Sequence, residues 1–600
     1  MFSLLTAPGH NHGIVRLSVY SFNCLVSLSI LGEIFTLAQP NHTVVKRIII
    51  CAVALTAMLW SCTSKQEKME NRMRDFISSY EEKIIPLYKE SALSSWEANV
   101  TGTDEAWARN EKASLAYSTY FTDRQAFAEL KELRESGLVK EPLLARQLDV
   151  LYNYFLSGQV DTSLISEQIR METEITKKFN SFRADVNGKK LSDNEVEDIL
   201  RNSTRSAELQ GAWEGHKLIG PLVADDIISL VKHRNRIAQE LGFSNYHRMS
   251  LELSGQNPDE VTSVFDELDS LTRGAFATLK GEIDGYYAKR YGLPATELMP
   301  WHYQNRYFQE APEIYSVDFD SYYADKDLVK LASEYYASIG LPVETILAKS
   351  DLYEKPGKNQ HAFSTDIDRS GDVRTLDNIR PDSYWMNTIL HELGHGVYSY
   401  YNDMSLPFAL RDAAHTFTTE AVANYFGRLA TNPAWMQYMG IISAEEAEKI
   451  SGDAFRAFRL QQLVFSRWAQ VMYRFEKAMY ENPDQDLNQL WWDIVERYQM
   501  MKKPEGRNMP DWATKIHVAL YPCYYHNYLL GELLASQFSE YITGTVVKGN
   551  TGEDMKAMGE FFKTKVFMPG MRYEWNEMIE KATGEKLTAK YYASQVVGVN

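Results

Sequence analysis

The chain has 600 residues, 44% of them hydrophobic, so it can bury a sizeable core and exceeds one ordinary domain in length. Its formal net charge of −17 and pI near 5.4 argue against nucleic acid as a partner, because domains that bind nucleic acid carry basic surfaces. The cysteines, at positions 24, 51, 62 and 523, do not form the pattern of a disulfide framework.

The N-terminal region contains a pattern typical of an export signal. The basic pair 46–47 precedes the apolar run 48–60, and a serine and Cys62 follow. A basic segment, a short apolar segment and a small residue before cysteine resemble a bacterial lipoprotein signal. We therefore predict a leader over residues 1–62 with lipidation at Cys62, and a polar tether over residues 63–72.

A lipid at this cysteine would anchor the protein to a membrane, in the periplasm or at the cell surface. The apolar run is short for a transmembrane helix, and an uncleaved anchor is the alternative. Residues 1–45 resemble no standard leader, so we hypothesise that translation begins at Val44 or Val45. Recovery of residues 1–40 by N-terminal sequencing of the precursor would contradict this hypothesis.

From residue 73 onward the pattern is largely helical, and residues 73–600 are predicted to form the main domain. Apolar residues recur at helical spacing over 73–87, and similar patterns follow. Ser192 and Glu195 have the spacing of a capping box, which predicts that a helix begins there. Further helices are predicted over 258–292 and 325–340, because each pattern ends at a Gly-Leu-Pro sequence.

Residues 350–380 differ from this pattern. They are rich in glycine and aspartate, and they are the best candidates for strands. Everything after residue 383 is predicted to be helical apart from loops near 402–414, 502–512 and 545–552. The predicted fold class is therefore mainly α, with one small antiparallel sheet just before a buried helix.

That helix, over residues 385–398, contains the motif H-E-x-x-H. His391 and His395 are four residues apart, so a helix presents both imidazoles to one ion, and Glu392 lies close enough to hold a water. Apolar neighbours on both sides argue against a surface helix with two solvated histidines. Buried histidines need partners, and a metal ion is a common one.

A third ligand is expected downstream, because catalytic zinc takes three protein ligands and keeps one open position. Glu420 lies in the apolar stretch 416–425, which is predicted to be a second buried helix. A buried carboxylate is costly unless it is paired or bound to metal, and a paired core carboxylate is the alternative. We predict that His391, His395 and Glu420 bind one zinc ion.

Other short motifs accompany this cluster. They are Trp213-Glu214-Gly215, His361-Ala362, Ala409-Leu410-Arg411, the run 487–492, Tyr498-Gln499 and Lys515-Ile516-His517. Together they resemble the angiotensin-converting enzyme family of zinc peptidyl-dipeptidases, with some features of the related thimet oligopeptidase family. The resemblance covers roughly residues 75–590 and implies a large bilobed helical metallopeptidase with a deep substrate groove.

The resemblance also implies roles for single residues. Glu392 would be the general base of peptide hydrolysis. His361 and His517 would bind backbone carbonyls of the substrate, with Ala362 beside His361. Lys515 would bind the free carboxylate at the substrate's C-terminus.

The tyrosines after His517 match the family once one inserted residue is allowed. Tyr525 then falls on the tyrosine that binds the carboxylate, and Tyr528 on the catalytic tyrosine, which with His517 would donate to the oxyanion. Gln304 matches the glutamine that also binds the C-terminus. Judged by residue type alone, Tyr524, Tyr525 and Tyr528 also suit core packing, because only one or two of them can face a groove.

Some positions depart from the family's pattern. Lys217, Val495 and Asn527 stand where family members bind chloride through arginines, which argues against activation by chloride. Asn424 replaces an aspartate four residues after the glutamate ligand, and we expect it to weaken the support of a ligand.

The sequence therefore predicts a zinc metallopeptidase of oligopeptides that releases C-terminal dipeptides, because a fixed carboxylate sets the distance to the cut bond. An oligopeptidase that cuts internally is the first alternative. A zinc-containing protein that binds peptides without cutting them is the second, and the presence of Glu392 argues against it. The oligomeric state is not determined by these patterns.

Overall fold

The computed structural model describes residues 42–597 except 316, 550 and 551, and the side chains from residue 65 onward. Most of the predicted leader, and the side chain of Cys62, therefore lie outside the described residues. The predicted tether is not a separate irregular segment, because residues 63–72 continue the first helix. Among the described residues, no helix combines the length and the apolar character needed to span a membrane.

The chain divides into two units, residues 1–72 and 73–600. The assignment of the first unit to a leader and tether stays a prediction. The second unit contains the two small sheets and the helices that carry the predicted metal ligands. Its division into two helical lobes with a groove between them also stays a prediction.

The fold is mainly α, as predicted. The helices before residue 350 are α1 (His42–Thr101), α2 (Asp104–Tyr120), α3 (Arg124–Ser136), α4 (Pro142–Ser157), α5 (Thr162–Ser181), α6 (Asp193–Asn202), α7 (Ser206–Lys217), α8 (Ile219–Glu240), α9 (Tyr246–Leu253), α10 (Pro258–Tyr291), α11 (Asp320–Tyr323), α12 (Leu328–Ser338) and α13 (Glu344–Leu347). The later helices are α14 (Ser383–Tyr400), α15 (Thr416–Gly427), α16 (Pro433–Tyr438), α17 (Ala444–Glu481), α18 (Leu487–Gln499), α19 (Ile516–Leu520), α20 (His526–Tyr541), α21 (Gly552–Phe561), α22 (Trp575–Thr583) and α23 (Lys590–Val597).

Local sequence signals explain several helix ends. The capping box at the start of α6 is confirmed: Glu195 N–H donates to Ser192 Oγ, and Ser192 N–H donates to the Glu195 carboxylate. Helix α10 begins after Asn257, whose side chain accepts from two backbone N–H groups, and it ends at Gly292 in the left-handed conformation. The long helix predicted over 258–292 is therefore confirmed.

The small sheet before the H-E-x-x-H helix is also confirmed. Strands β3 (Phe363–Asp366) and β4 (Val373–Leu376) pair antiparallel, with Phe363 opposite Leu376. A second hairpin, of β1 (Ala184–Val186) and β2 (Lys189–Leu191), was not predicted. Its turn is Asn187-Gly188, and both residues have positive φ, as two-residue hairpin turns require.

The core of the second unit is continuous and rich in aromatic side chains. Trp213, Trp468, Trp492 and Trp512 are among the largest fully buried residues. Helices α14, α15 and α20 pack together within this core. They carry the predicted metal ligands and Tyr528, so the position of the site is set by rigid elements rather than by loops.

Candidate metal centre and peptide site

The two helices that carry the metal ligands approach each other closely because small residues lie where they cross. A Cβ added to Gly394 of α14 would lie 2.8 Å from Ala423 Cα of α15. A Cβ added to Gly427 would lie 3.3 Å from the Cβ of His391. Any larger side chain at Gly394 would push the helices apart and separate the ligands that they carry.

His391, His395 and Glu420 converge as the sequence predicted. The Nε2 atoms of the two histidines lie 3.2 Å apart. Glu420 Oε2 lies 3.3 Å from His395 Nε2, and Oε1 lies 3.8 Å from His391 Nε2. The three side chains could therefore hold a metal ion.

The donor set and its spacing fit zinc. Ligand atoms about 2.0–2.1 Å from a tetrahedral zinc ion lie about 3.3 Å from each other, close to the separations found here. Each of the three side chains keeps between 20% and 23% of its surface exposed. A position for water or substrate therefore remains open beside the ligands.

Neighbouring side chains orient both imidazoles. His395 Nδ1 lies 2.8 Å from Thr419 Oγ1, and the side chain of Asn424 hydrogen-bonds His391. Such contacts at the second ring nitrogen fix the orientation of a metal-binding histidine. Asn424 therefore contacts a ligand despite replacing an aspartate, and the expected weakening of this support stays a prediction.

Glu392 is buried beside the ligands. Burial raises the pKa of its carboxyl to about 7, with the charges of Asp377 and Glu420 adding to the effect and His395 opposing it. The backbone N–H of Ser364, in β3, donates to this carboxyl group. The general base predicted from the sequence is therefore held between the metal ligands and the sheet.

His361 and Ala362 lie immediately before β3. The His361 side chain is exposed, and its backbone N–H donates to Asn359 Oδ1 at 2.9 Å. In the part of the chain that the structure describes, β3 pairs only with β4, so its other edge has no strand partner. An extended peptide can pair with such an edge, which agrees with the role predicted for these residues.

Ring contacts join His517 to a cluster of tyrosines, of which Tyr528 lies on α20 and the others precede this helix. The ring of His517 lies 5.4 Å from that of Tyr525, and Tyr525 and Tyr524 each lie 5.3 Å from Tyr528. Burial and then the charge of Glu420 raise the pKa of Tyr528, so its phenol keeps its proton. Both predicted oxyanion donors thus belong to one contiguous cluster.

A close helix contact brings this cluster to the metal site. A Cβ added to Gly531 of α20 would lie 3.2 Å from Cγ of Glu420. His517 Nδ1 is buried and has no hydrogen-bond partner among the described residues. Burial, and to a lesser degree Lys515, lowers the pKa of His517 to about 4, so the ring is neutral near pH 7.

Lys515 is buried within an aromatic environment. Its Nζ lies 5.2, 5.5 and 5.9 Å from the ring centres of Tyr307, Trp468 and Tyr525. Burial lowers the pKa of Lys515 to about 8. Trp468 Nε1–H donates to Tyr525 Oη at 2.7 Å, so the tyrosine can donate its own proton to a ligand. Lys515 and Tyr525 therefore form a site suited to a carboxylate.

The glutamine that contacts Lys515 is Gln309 and not Gln304, so the binding role of Gln304 stays a prediction without a contact to Lys515. Lys515 Nζ donates to Gln309 Oε1 at 2.6 Å. The side chain of Gln304 instead accepts from Tyr287 Oη and donates to the backbone oxygen of Arg201. Both residues lie in an irregular segment where Gln304 has a φ of +56°, so their side-chain directions do not follow from the sequence.

Sequence reasoning also missed Thr419. Thr419 immediately precedes Glu420 in a predicted helix. Its hydroxyl, next to a predicted ligand, indicates a possible hydrogen-bond partner for a ligand side chain, and it bonds His395. No comparable signal existed for Gln309.

The three positions that depart from the family's chloride pattern are all buried. Lys217 Nζ donates to Thr514 Oγ1 at 3.3 Å and lies 3.9 Å from the centre of the Tyr307 ring. Val495 and Asn527 carry no charge. The absence of chloride activation stays a prediction.

A mainly helical fold with H-E-x-x-H on one helix and a glutamate ligand on the next defines a class of metallopeptidases. Residues 67–592 match the family model described as angiotensin-converting enzyme, peptidase M2. The chain belongs to this peptidase family, as the sequence motifs predicted.

Individual relatives are distant. The chain is 22% identical over 513 residues to the inactive angiotensin-converting enzyme-related protein of Caenorhabditis elegans, which covers 75% of this chain and 54% of that protein. It is 24% identical over 433 residues to the angiotensin-converting enzyme of Rattus norvegicus, covering 65% of this chain and 32% of the relative. It is 23% identical over 518 residues to the angiotensin-converting enzyme of Mus musculus, covering 78% of this chain and 38% of the relative. The matched region thus spans between about a third and about half of these relatives.

Proposed function

We propose that this protein is a zinc-dependent peptidyl-dipeptidase that acts on oligopeptides. One observation carries the proposal. Lys515, Gln309 and Tyr525 form the proposed carboxylate site. Tyr525 contacts the ring of Tyr528 on α20, and the same helix packs closely against Glu420. A peptide whose C-terminus is held by this site would reach the metal ligands with a bond a short, fixed distance from its end.

The proposed zinc ion would be held by His391, His395 and Glu420. When bound, it polarises a carbonyl and lowers the pKa of a water molecule toward neutrality. Glu392 takes a proton from the attacking water and returns it to the leaving amine.

Two further side chains support the reaction from the opposite helix. Tyr528 keeps its phenolic proton, and His517 is neutral with an unpartnered ring nitrogen. Both can therefore donate a hydrogen bond to the oxygen on which negative charge develops. His361 and Ala362 align the peptide backbone along the edge of β3 that has no strand partner.

The test uses the chain from about residue 66, a peptide of about ten residues with a blocked N-terminus and a free C-terminal carboxylate, and its C-amidated twin. Mass spectrometry identifies the fragments. We expect stepwise loss of dipeptides from the free-acid peptide alone. Internal cuts in both peptides would favour an oligopeptidase, and no cleavage with zinc bound would favour a peptide-binding protein.

Lys515→Met and Lys326→Met form a matched pair of variants. The first removes the buried anchor. The second removes a partly exposed lysine whose ion pair, among the described residues, is with its neighbour Asp325. We expect the first variant to raise KM for the free-acid peptide by about 10-fold to 100-fold, the cost of losing a buried charge-assisted contact. The second variant should behave as the parent does.

We also propose that the protein is exported and anchored by a lipid at Cys62. The support is the sequence pattern alone: a basic pair, the apolar run 48–60 and the cysteine. Metabolic labelling with a fatty-acid analogue should mark the parent protein and not Cys62→Ser. Labelling of both proteins, or of neither, would contradict the proposal.

A further inference from the structure

Residues 521–525 form the turn between α19 and α20, and this turn separates His517 from Tyr528. Cys523, in this turn, has a φ of +56°, a left-handed conformation that L-residues other than glycine rarely adopt. Such a conformation persists only where surrounding contacts hold it.

Two buried, ionisable side chains hold the turn at its two ends. Arg234 of α8 donates to the backbone oxygen of Ala519 at 2.7 Å. Glu476 of α17 accepts from the backbone N–H of Cys523 at 2.9 Å. Arg234 and Glu476 are each only 1% exposed, and the charge of Arg234 acts on the Glu476 carboxyl.

Neither side chain has been given a role in binding or hydrolysis. Burying an ionisable group is costly unless its hydrogen bonds repay the lost solvation. Arg234 also pairs with Glu172 and donates to Tyr480 Oη, and the remaining bonds of the two side chains are made to backbone at the two ends of the turn. The thiol of Cys523 is itself buried, and burial raises its pKa well above the usual range, so it is not a reactive nucleophile.

We propose that Arg234 and Glu476 are positioning residues, which clamp residues 519–523 and thereby fix Tyr525 and Tyr528 relative to His517. This inference rests on the proposed function. Without the clamp, the strained turn would relax and the tyrosines would move away from the carboxylate site and the metal ligands.

The conservative substitution at Glu476 is glutamine, because its amide oxygen can still accept from Cys523 N–H. Glu476→Leu removes the hydrogen-bond acceptor and leaves a side chain of similar size. We expect Glu476→Leu to lower kcat/KM for the free-acid peptide by about 10-fold to 100-fold, since small displacements of reacting groups have effects of this size. The loss should be mainly in KM, through Tyr525, with zinc content unchanged. Glu476→Gln should stay within about threefold of the parent.

A rescue experiment separates positioning from general damage. In the Glu476→Leu background, Cys523→Gly should restore most of the lost kcat/KM, because glycine adopts the left-handed conformation without a clamp. Cys523→Ala removes the same thiol but keeps the backbone restriction, so it should restore none.

The outcomes distinguish the two proposals. A parent protein that cleaves neither peptide overturns the proposed function and this inference together. An active parent with normal KM in Glu476→Leu overturns the inference alone, as does equal rescue by Cys523→Gly and Cys523→Ala. If Glu476→Leu does not fold, Arg234→Lys replaces it as the test variant. This substitution keeps the charge but shortens the reach to Ala519. An unchanged KM in the folded Arg234→Lys protein overturns the inference.

Discussion

At the scale of single residues, the proposed chemistry depends on Glu392 more than on any other side chain outside the predicted ligand set. It is the only carboxylate between the two histidines of the motif. Its role is separable from metal binding, because the ligand atoms belong to other residues.

We predict that Glu392→Gln keeps zinc and loses turnover by about 10²- to 10⁴-fold, the usual contribution of a general base. Metal analysis of the dialysed variant and initial rates on the free-acid peptide measure the two properties. Glu420→Gln is the comparison, since it alters a ligand and should lose metal as well as activity. Undiminished turnover in Glu392→Gln would remove this residue from the mechanism.

The buried lysine gives a prediction about pH. Burial lowers the pKa of Lys515 to about 8, so its charge is present below that pH and is lost as the pH rises through it. We expect kcat/KM for the free-acid peptide to fall above about pH 8, because this parameter follows groups of the free enzyme.

Lys515→Arg provides the control for this profile. An arginine keeps its charge throughout the range, so the fall near pH 8 should disappear even if the absolute rate is lower. An identical fall in the arginine variant would assign the profile to another group.

At the scale of elements, the metal centre depends on the crossing of α14 and α15. Gly394 lies inside the H-E-x-x-H motif itself, between Glu392 and His395. The missing side chain lets Ala423 approach, and this approach sets the distance between the histidines and Glu420. A motif residue with no chemistry of its own therefore has a geometric role.

We predict that Gly394→Ala destabilises the protein by about 1–3 kcal/mol, as overpacking of a core commonly does, and weakens zinc binding. Gly281→Ala is the matched control, because a Cβ there meets no atom within 4 Å in the interior of α10. That variant should gain about 0.5–1 kcal/mol. Urea unfolding and competition with a zinc-binding dye measure both; normal zinc affinity in Gly394→Ala would contradict the prediction.

At the scale of the whole molecule, we predict that zinc binding and folding are coupled. The three ligands come from two helices that are brought together only by the folded core, so the ion binds the native state in preference to the unfolded chain. We predict that free zinc at about 1,000 times Kd adds about 4 kcal/mol to the free energy of unfolding.

Urea unfolding in zinc buffers, against a chelator-treated sample, measures this gain. His391→Ala should show much less dependence on zinc, because it lacks one ligand. Equal midpoints with and without zinc in the parent protein would show that the three side chains do not form a metal site.

The amino-acid sequence by itself determined the ligand set and the fold class. Helical periodicity fixes the relation of His391 to His395 with no tertiary information, and the partly buried position of Glu420 follows from its apolar neighbours. The small sheet before the motif was predictable from composition. The β1–β2 hairpin also has a sequence signal, because Asn-Gly is a preferred pair for a two-residue hairpin turn.

Only the tertiary structure decided which glutamine joins Lys515 and which conformation Cys523 adopts. Gln304 and Gln309 lie in an irregular segment, where no repeating geometry fixes the direction of a side chain. Cys523 takes a left-handed conformation because Glu476, distant in sequence, holds its backbone N–H. Contacts between segments far apart in the chain set both features, and local sequence patterns report only what neighbouring residues impose.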